Sequence, residues 1–166
     1  MHKLILKNIT KSFTQGKQQL QVIKDASLEI KAGEMIALVG PSGSGKTTLL
    51  QIAGLLDNPD SGQIIINSLD MSSANDRSKT LTRRNNLGFI YQFHHLLPEF
   101  SALENIAMPL LIHGIKKNEA LKQAEIILEE IGLKNRANHR PAELSGGEQQ
   151  RVSIGRAIIG KPSVIL

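Results

Sequence analysis

Apolar residues are distributed unevenly along the chain, and the change in their spacing predicts the elements. Near the start they come in short clusters, Leu4-Ile5-Leu6, Gln21-Val22-Ile23 and Ala26-Ser27-Leu28-Glu29-Ile30, separated by polar stretches that contain Gly16. Short apolar clusters broken by turn residues predict an antiparallel sheet. Ala32-Gly33-Glu34 reads as a turn, and Met35-Ile36-Ala37-Leu38-Val39 is then apolar without a break. A continuous run of this kind predicts a strand covered on both faces, as in an α/β sheet. A Gly-rich loop follows, then a helix from about Lys46 to Ala53. Asn58-Pro59-Asp60-Ser61-Gly62 is dense in turn formers. Gln63-Ile64-Ile65-Ile66-Asn67 and Leu87-Gly88-Phe89-Ile90-Tyr91 read as further strands.

The later spacing is helical. Ala120, Leu121, Ala124, Ile127, Leu128 and Ile131 recur at i, i+3, i+4 and i+7, one face of an amphipathic helix. Leu103, Ile106, Ala107, Leu110 and Leu111 make an earlier one, which Pro109 is expected to kink because it removes a backbone donor. Another helix runs from about Ser145 to Ile159, and Ser163-Val164-Ile165-Leu166 reads as the start of a buried strand. No internal repeat or low-complexity tract interrupts the sequence.

Composition narrows the class. The 166 residues are 40% hydrophobic and 21% charged, enough apolar surface for one ordinary core and too much for disorder. No run of about 18 apolar residues predicts a membrane span, and Met1 to Asn8 has no apolar segment of the secretory-leader type. The absence of cysteine excludes disulfides and thiolate-bound zinc, and fits a reducing compartment. The net charge of +5 admits an anionic partner. The basic residues are scattered, however, with no run longer than the pairs Arg83-Arg84 and Lys116-Lys117, and aromatics are only 3%. Neither a nucleic-acid patch nor a base-stacking platform is expected.

Two motifs carry chemistry. Gly40-Pro41-Ser42-Gly43-Ser44-Gly45-Lys46-Thr47 fits G-x-x-x-x-G-K-[ST] and lies between an apolar strand and a helix, the setting of a phosphate-binding loop. Backbone N–H groups and the positive helix end attract phosphate oxygens. Lys46 supplies a charge for the β- and γ-phosphates, and Thr47 a hydroxyl for Mg²⁺. Leu144-Ser145-Gly146-Gly147-Glu148-Gln149 opens the late helix. A capping box explains Ser145 and Glu148. It does not explain two glycines, each costing roughly 1 kcal/mol relative to alanine within a helix. Bare N–H groups forming a second anion site would.

Together and in this order, these motifs resemble the Walker A loop and signature of the ATP-binding-cassette (ABC) ATPases. The resemblance runs from Phe13 to Leu166. It implies an α/β P-loop NTPase core with an N-terminal antiparallel β subdomain and an inserted α-helical subdomain. The parts would be residues 1–92 (core), 93–140 (helical insert) and 141–166 (signature helix and the start of the Walker B strand). It implies ATP and Mg²⁺ as ligands, and a homodimer in which each nucleotide is sandwiched between one Walker A loop and the other subunit's signature. Ser145, Gly146 and Gly147, with Glu148 behind them, would then meet the γ-phosphate held by a partner. Gln92 matches the Q-loop, with an implied role at Mg²⁺ and the attacking water. Thr48 matches a contact to the α-phosphate. Phe13 matches the aromatic that stacks on adenine, the alternative being a strand aromatic in the core.

Phe93-His94-His95-Leu96-Leu97-Pro98-Glu99-Phe100 and Leu103 to Leu111 resemble the ATP-binding subunits of bacterial lipoprotein-releasing transporters. That resemblance implies a peripheral protein on the cytoplasmic face of the inner membrane, gripping integral membrane subunits through residues 93–111. His94 and His95 are adjacent and diverge, with no third ligand at a recognisable spacing, so they do not predict a metal site. The alternatives are a soluble ABC protein acting on DNA or ribosomes, or a non-catalytic nucleotide-binding fragment. Gln92 and Ser145 are only 53 positions apart, too few for an inserted long coiled coil.

Members of the family continue past an apolar strand like 163–166 into an Asp-Glu pair and, later, a switch histidine. This sequence reaches none of them, so truncation before the Walker B acids is expected, and with it negligible hydrolysis by these 166 residues alone.

Overall fold

Two fourteen-residue strands, β1 (His2–Gln15) and β2 (Gln18–Lys31), pair as an antiparallel hairpin where shorter strands were expected. The structure is a computed structural model that describes residues 2–16 and 18–166. The polar residues between the apolar clusters do not end the strands, because backbone pairing continues while the outer face meets water. Leu4, Leu6 and Ile9 are fully buried, spaced by two and then by three. A β-bulge accounts for the change of step, since without an extra residue Ile9 would face the opposite side. Asn8 adopts φ 52° and Asp25, across from it, φ 53°, and the Asn8 side-chain amide donates to the Asp25 carboxylate at 2.6 Å.

β3 (Ser61–Ile66) pairs with the other edge of β1, setting Ile66 against Leu4 and Ile64 against Leu6, and β4 (Leu69–Asp70) completes the order β2-β1-β3-β4. These apolar residues, with Ile52 and Ala53 of helix α1 (Lys46–Ala53), form the core of a first compact unit that ends at Arg83.

One expectation changes here, and one helix forms that the apolar pattern did not predict. The apolar run Met35–Val39 is not a strand: among the described residues none pairs with it, and Met35 is 96% and Val39 85% exposed. Apolar patterning registers what a strand could bury, but a strand also needs a neighbour for its N–H and C=O groups. Conversely, helix α2 (Asp76–Asn86) forms where no apolar stripe exists. Its inner face is polar and hydrogen-bonded. The Lys79 ammonium donates to Asn58 Oδ1 at 2.6 Å, the Arg83 guanidinium to the Leu55 carbonyl at 2.6 Å, and the Thr82 hydroxyl to the Met71 sulfur at 3.3 Å.

The second unit runs from Arg84 to Leu166. β5 (Leu87–Gly88) and β6 (Val164–Ile165) pair in parallel, and the Ile90 N–H extends the ladder to the Leu166 carbonyl at 2.9 Å. Helices α3 (Ala102–Ile112), α4 (Lys117–Glu130) and α5 (Gly146–Ile158) enclose a core that includes Ile106, Leu110, Ala124, Leu128 and Val152. Each large side chain so buried contributes about 1.5–3 kcal/mol. The three helices approach closely at Gly155, where a Cβ would lie 2.9 Å from Ile127 and 3.0 Å from Ile106. Pro109 lies inside α3, which runs on to Ile112. Among the described residues, no helix is long and apolar enough to cross a membrane. The mixed α/β architecture, with an antiparallel sheet in one unit and helices around a parallel pair in the other, is the expected fold class.

Candidate functional site

The first unit carries the phosphate-loop sequence. α1 begins at Lys46, and its N-cap, Gly45, has φ 86°, with no side-chain capping bond and no acidic residue in the first turn. Glycine is required there twice over: the backbone is left-handed, and a Cβ would lie 2.9 Å from the Val22 carbonyl oxygen. The helix therefore presents uncapped N–H groups and its positive pole. The Lys46 ammonium donates to the carbonyls of Gly40 at 2.8 Å and Pro41 at 2.7 Å, and Ser44 Oγ is 3.4 Å away. Its charge is thus held against the loop. Ser42, Gly43, Gly45, Lys46, Thr47 and Thr48 line a cavity of about 340 Å³ with Val22. Gly40, Pro41 and Ser44 line a neighbouring one of about 370 Å³, again with Val22. A cation, a helix pole and several hydroxyls on one concave surface suit a chain of phosphates and a hydroxyl-bound divalent ion.

Phe13 stands on β1 opposite Leu20, two residues along β2 from Val22. It lies outside the buried core, 43% exposed, with the Lys11 ammonium 5.2 Å from its ring centroid. Lys11 is itself held by the Asp57 carboxylate at 2.9 Å.

The second unit carries Gln92 and the signature. Ser145 is the N-cap of α5, and the capping box forms. Ser145 Oγ accepts from the Glu148 N–H at 3.4 Å, and Glu148 Oε2 accepts from the Ser145 N–H and hydroxyl, both at 2.8 Å. The other oxygen of Glu148 accepts from Arg136 Nε at 3.0 Å. The Ser145 N–H, then its hydroxyl, then Arg136 lower the carboxyl from 4.5 to about 2. Gly146 and Gly147 are exposed, neither has a left-handed backbone, and a Cβ at either would meet nothing within 4 Å. Among the described residues, no packing accounts for either glycine.

Gln92 is exposed in a turn two residues beyond the last ladder bond, rather than at the strand end itself. Three residues around these motifs escaped the sequence reading. Arg136 sits in a 3₁₀ turn, Lys134–Arg136, and holds Glu148. Asn105 is fully buried, with its amide donating to the carbonyls of Leu97, Phe100 and Ser101, and its Oδ1 accepting from the Leu97 N–H at 2.8 Å. Arg156 bonds the backbone of His94 and His95. A lone arginine in an exposed segment leaves no periodic signal. Asn105 could have been found, because a polar residue sits among apolar neighbours on the buried stripe of α3.

A sequence model of the family described as ABC transporter matches residues 23–166. The lipoprotein-releasing system ATP-binding protein LolD of Saccharophagus degradans is 51% identical over 159 residues, covering 96% of this chain and 70% of that protein. The LolD of Paramagnetospirillum magneticum is 52% identical over 165 residues, 99% of this chain and 73% of that protein. Among solved structures, an ATP-binding cassette in a dimeric post-hydrolysis state bound to ADP and Pi superposes with a TM-score of 0.91. It is 39% identical, covering 98% of this chain and 72% of that one.

Proposed function

This chain belongs to the ABC transporter family, and from that premise we propose that it is the ATP-binding subunit of a lipoprotein-releasing transporter. The observation that carries the nucleotide reading is the start of α1, an uncapped helix pole with the Lys46 ammonium folded onto the same loop. In this reading the loop Gly40-Pro41-Ser42-Gly43-Ser44-Gly45 wraps the phosphates with its N–H groups. Lys46 neutralises the β- and γ-phosphates, Thr48 donates to the α-phosphate, and Phe13 stacks on adenine. Thr47 fits a Mg²⁺-nucleotide, to which it would supply a hydroxyl ligand, and the family resemblance would give Gln92 a role at Mg²⁺ and the attacking water. When bound, the ion withdraws charge from the transferring phosphoryl group.

Gly146 and Gly147 offer two unencumbered N–H groups to the γ-phosphate of a nucleotide held by a second copy, and the Ser145 hydroxyl would join them by turning from the Glu148 carboxylate to which it donates, with Glu148 and Arg136 fixing the turn that presents them. That arrangement makes a homodimer with two nucleotides between its subunits, and dimeric cassettes among the solved structures support it. Residues 93–111 dock the integral membrane subunits at the cytoplasmic face of the bacterial inner membrane. Phe93, 78% exposed, and the exposed Leu97 and Phe100 favour that assignment.

Equilibrium dialysis of the 166-residue chain against ATP and Mg²⁺ tests the site. Lys46→Ala is expected to weaken uptake roughly ten- to a hundredfold, the worth of a hydrogen bond to a charged group. Steady-state turnover by the 166 residues alone is expected to stay at background. Equal uptake by the parent and the variant would refute the nucleotide assignment, and turnover that vanishes in the variant would refute the expected inactivity.

A further inference from the structure

We propose that Arg156 is a positioning residue that ties the signature helix to the segment leaving Gln92, holding His94 and His95 in a backbone conformation they would not keep unaided. Both have left-handed backbones, φ 58° and 45°. For a non-glycine residue that conformation costs about 1 kcal/mol or more, and two in succession need an external restraint. The restraint is a single guanidinium. Arg156 Nη2 donates to the His94 carbonyl and Nη1 to the His95 carbonyl, each at 2.7 Å, across 62 and 61 positions of sequence.

The geometry is mutually dependent. Successive carbonyls alternate in direction along an extended chain, but point the same way when both residues are helical in either hand. Only in that second state can one planar fork engage both. Arg156 is partly buried, and among the described residues no carboxylate pairs with it, so the two carbonyl dipoles are its compensation. On the other side of Gln92 the chain is also fixed. The Tyr91 ring stacks on Phe89 at 5.9 Å and meets the His95 ring edge-on at 5.1 Å. Gln92 is therefore bracketed by an aromatic stack before it and the arginine clamp after it. Arg156 lies eleven residues beyond Ser145 on the same helix, about 16 Å along its axis. A displacement of that helix is carried to the backbone that presents Gln92. Asn105 independently anchors the following stretch, Leu97 to Ser101, to α3.

The inference rests on the ABC reading only for the roles of Gln92 and Ser145; the clamp itself is tested without nucleotide. Residue-resolved amide exchange on the 166-residue chain reads the His94 and His95 N–H groups, which bond the carbonyls of Tyr91 and Phe93. Arg156→Ala is expected to speed exchange at these two amides about tenfold or more. The Leu97 amide, held by Asn105, and the amides of α4 are expected to stay as in the parent. Arg156→Lys is expected to lose much of the same protection, because an ammonium has no planar fork. Adding His94→Gly and His95→Gly to Arg156→Ala should restore most of it, since glycine adopts the left-handed region without strain. A side chain that merely fills space would show no such rescue. Unchanged exchange at both amides, a uniform loss across the unit, or failure of the glycine pair to rescue would each overturn the proposal. Should Arg156→Ala not fold, Arg156→Lys with and without the glycine pair carries the same comparison.

Discussion

The chain starts two helices at its two expected phosphate sites, and starts them in opposite ways. α1 opens on a left-handed glycine, with no side chain over its first N–H groups and no acid in the first turn. α5 opens on a serine in a full capping box, with Glu148 in the first turn and Arg136 behind it. An uncapped helix end has unsatisfied donors and gains most from an anion that supplies acceptors. A capped end is already stable and can present its remaining N–H groups in a fixed direction. In the proposed reading, the first would be completed by its own ligand, and the second would hold its shape for a ligand brought by another molecule.

The contrast breaks most visibly at Gly45. Gly45→Ala puts a methyl 2.9 Å from the Val22 carbonyl and forces alanine to φ 86°. A loss of about 1–3 kcal/mol of stability is expected, with ATP uptake falling in parallel, because the same residue sets the direction of the first α1 N–H groups. Urea denaturation with and without ATP reads both effects. If Gly45→Ala is as stable as the parent and still protected by ATP, α1 does not depend on an uncapped glycine start.

How far the sequence revealed this architecture depended on which physical signal marked each part. Lys46–Ala53 and the capping box at Ser145 were legible because both are local: a glycine pattern, a helical period and a Ser-x-x-Glu spacing. Met35–Val39 was misread because its apolar run reports potential burial and says nothing of a pairing partner. α2 was invisible because its inner face is made of Lys79, Thr82 and Arg83, held by hydrogen bonds to Asn58, Met71 and Leu55 instead of by an apolar stripe. Arg136 and Arg156 act across 12 and about 60 positions, distances at which one sequence shows no correlation. The site was legible where the backbone makes it and hidden where a long side chain supports it.

Ser145→Ala sharpens the comparison with a smaller effect. It deletes the hydroxyl that accepts from the Glu148 N–H and donates to the Glu148 carboxylate. Loss of an N-cap serine costs about 1 kcal/mol. The cost is expected as a lower urea midpoint at unchanged slope, with faster amide exchange confined to the first turn of α5. No change in that turn would mean that Arg136 and Glu148 hold it without the cap.

The smallest effect separates the two ends by pH alone. The Glu148 carboxyl titrates at about 2 in the folded chain against an ordinary 4.5, chiefly because it accepts from Ser145. A group depressed on folding stabilises the folded state fully above its unfolded value, and the contribution fades as pH falls through the folded one. Protection of the α5 start is therefore expected to decline as pH is lowered from about 4.5 towards 2, and less steeply at high salt, because the half-buried carboxylate and its Arg136 partner lie at the surface. The α1 start has no acid in its first turn and should show no such slope of its own. Glu104 in the capping box of α3 is also held low and would tilt any global measurement in the same sense. The informative quantity is the difference in amide exchange between the parent and Glu148→Gln at the α5 start, measured from pH 5 downwards. A difference that shrinks as pH falls supports the charged cap. A difference that is constant with pH would mean that Glu148 acts there by shape and not by charge.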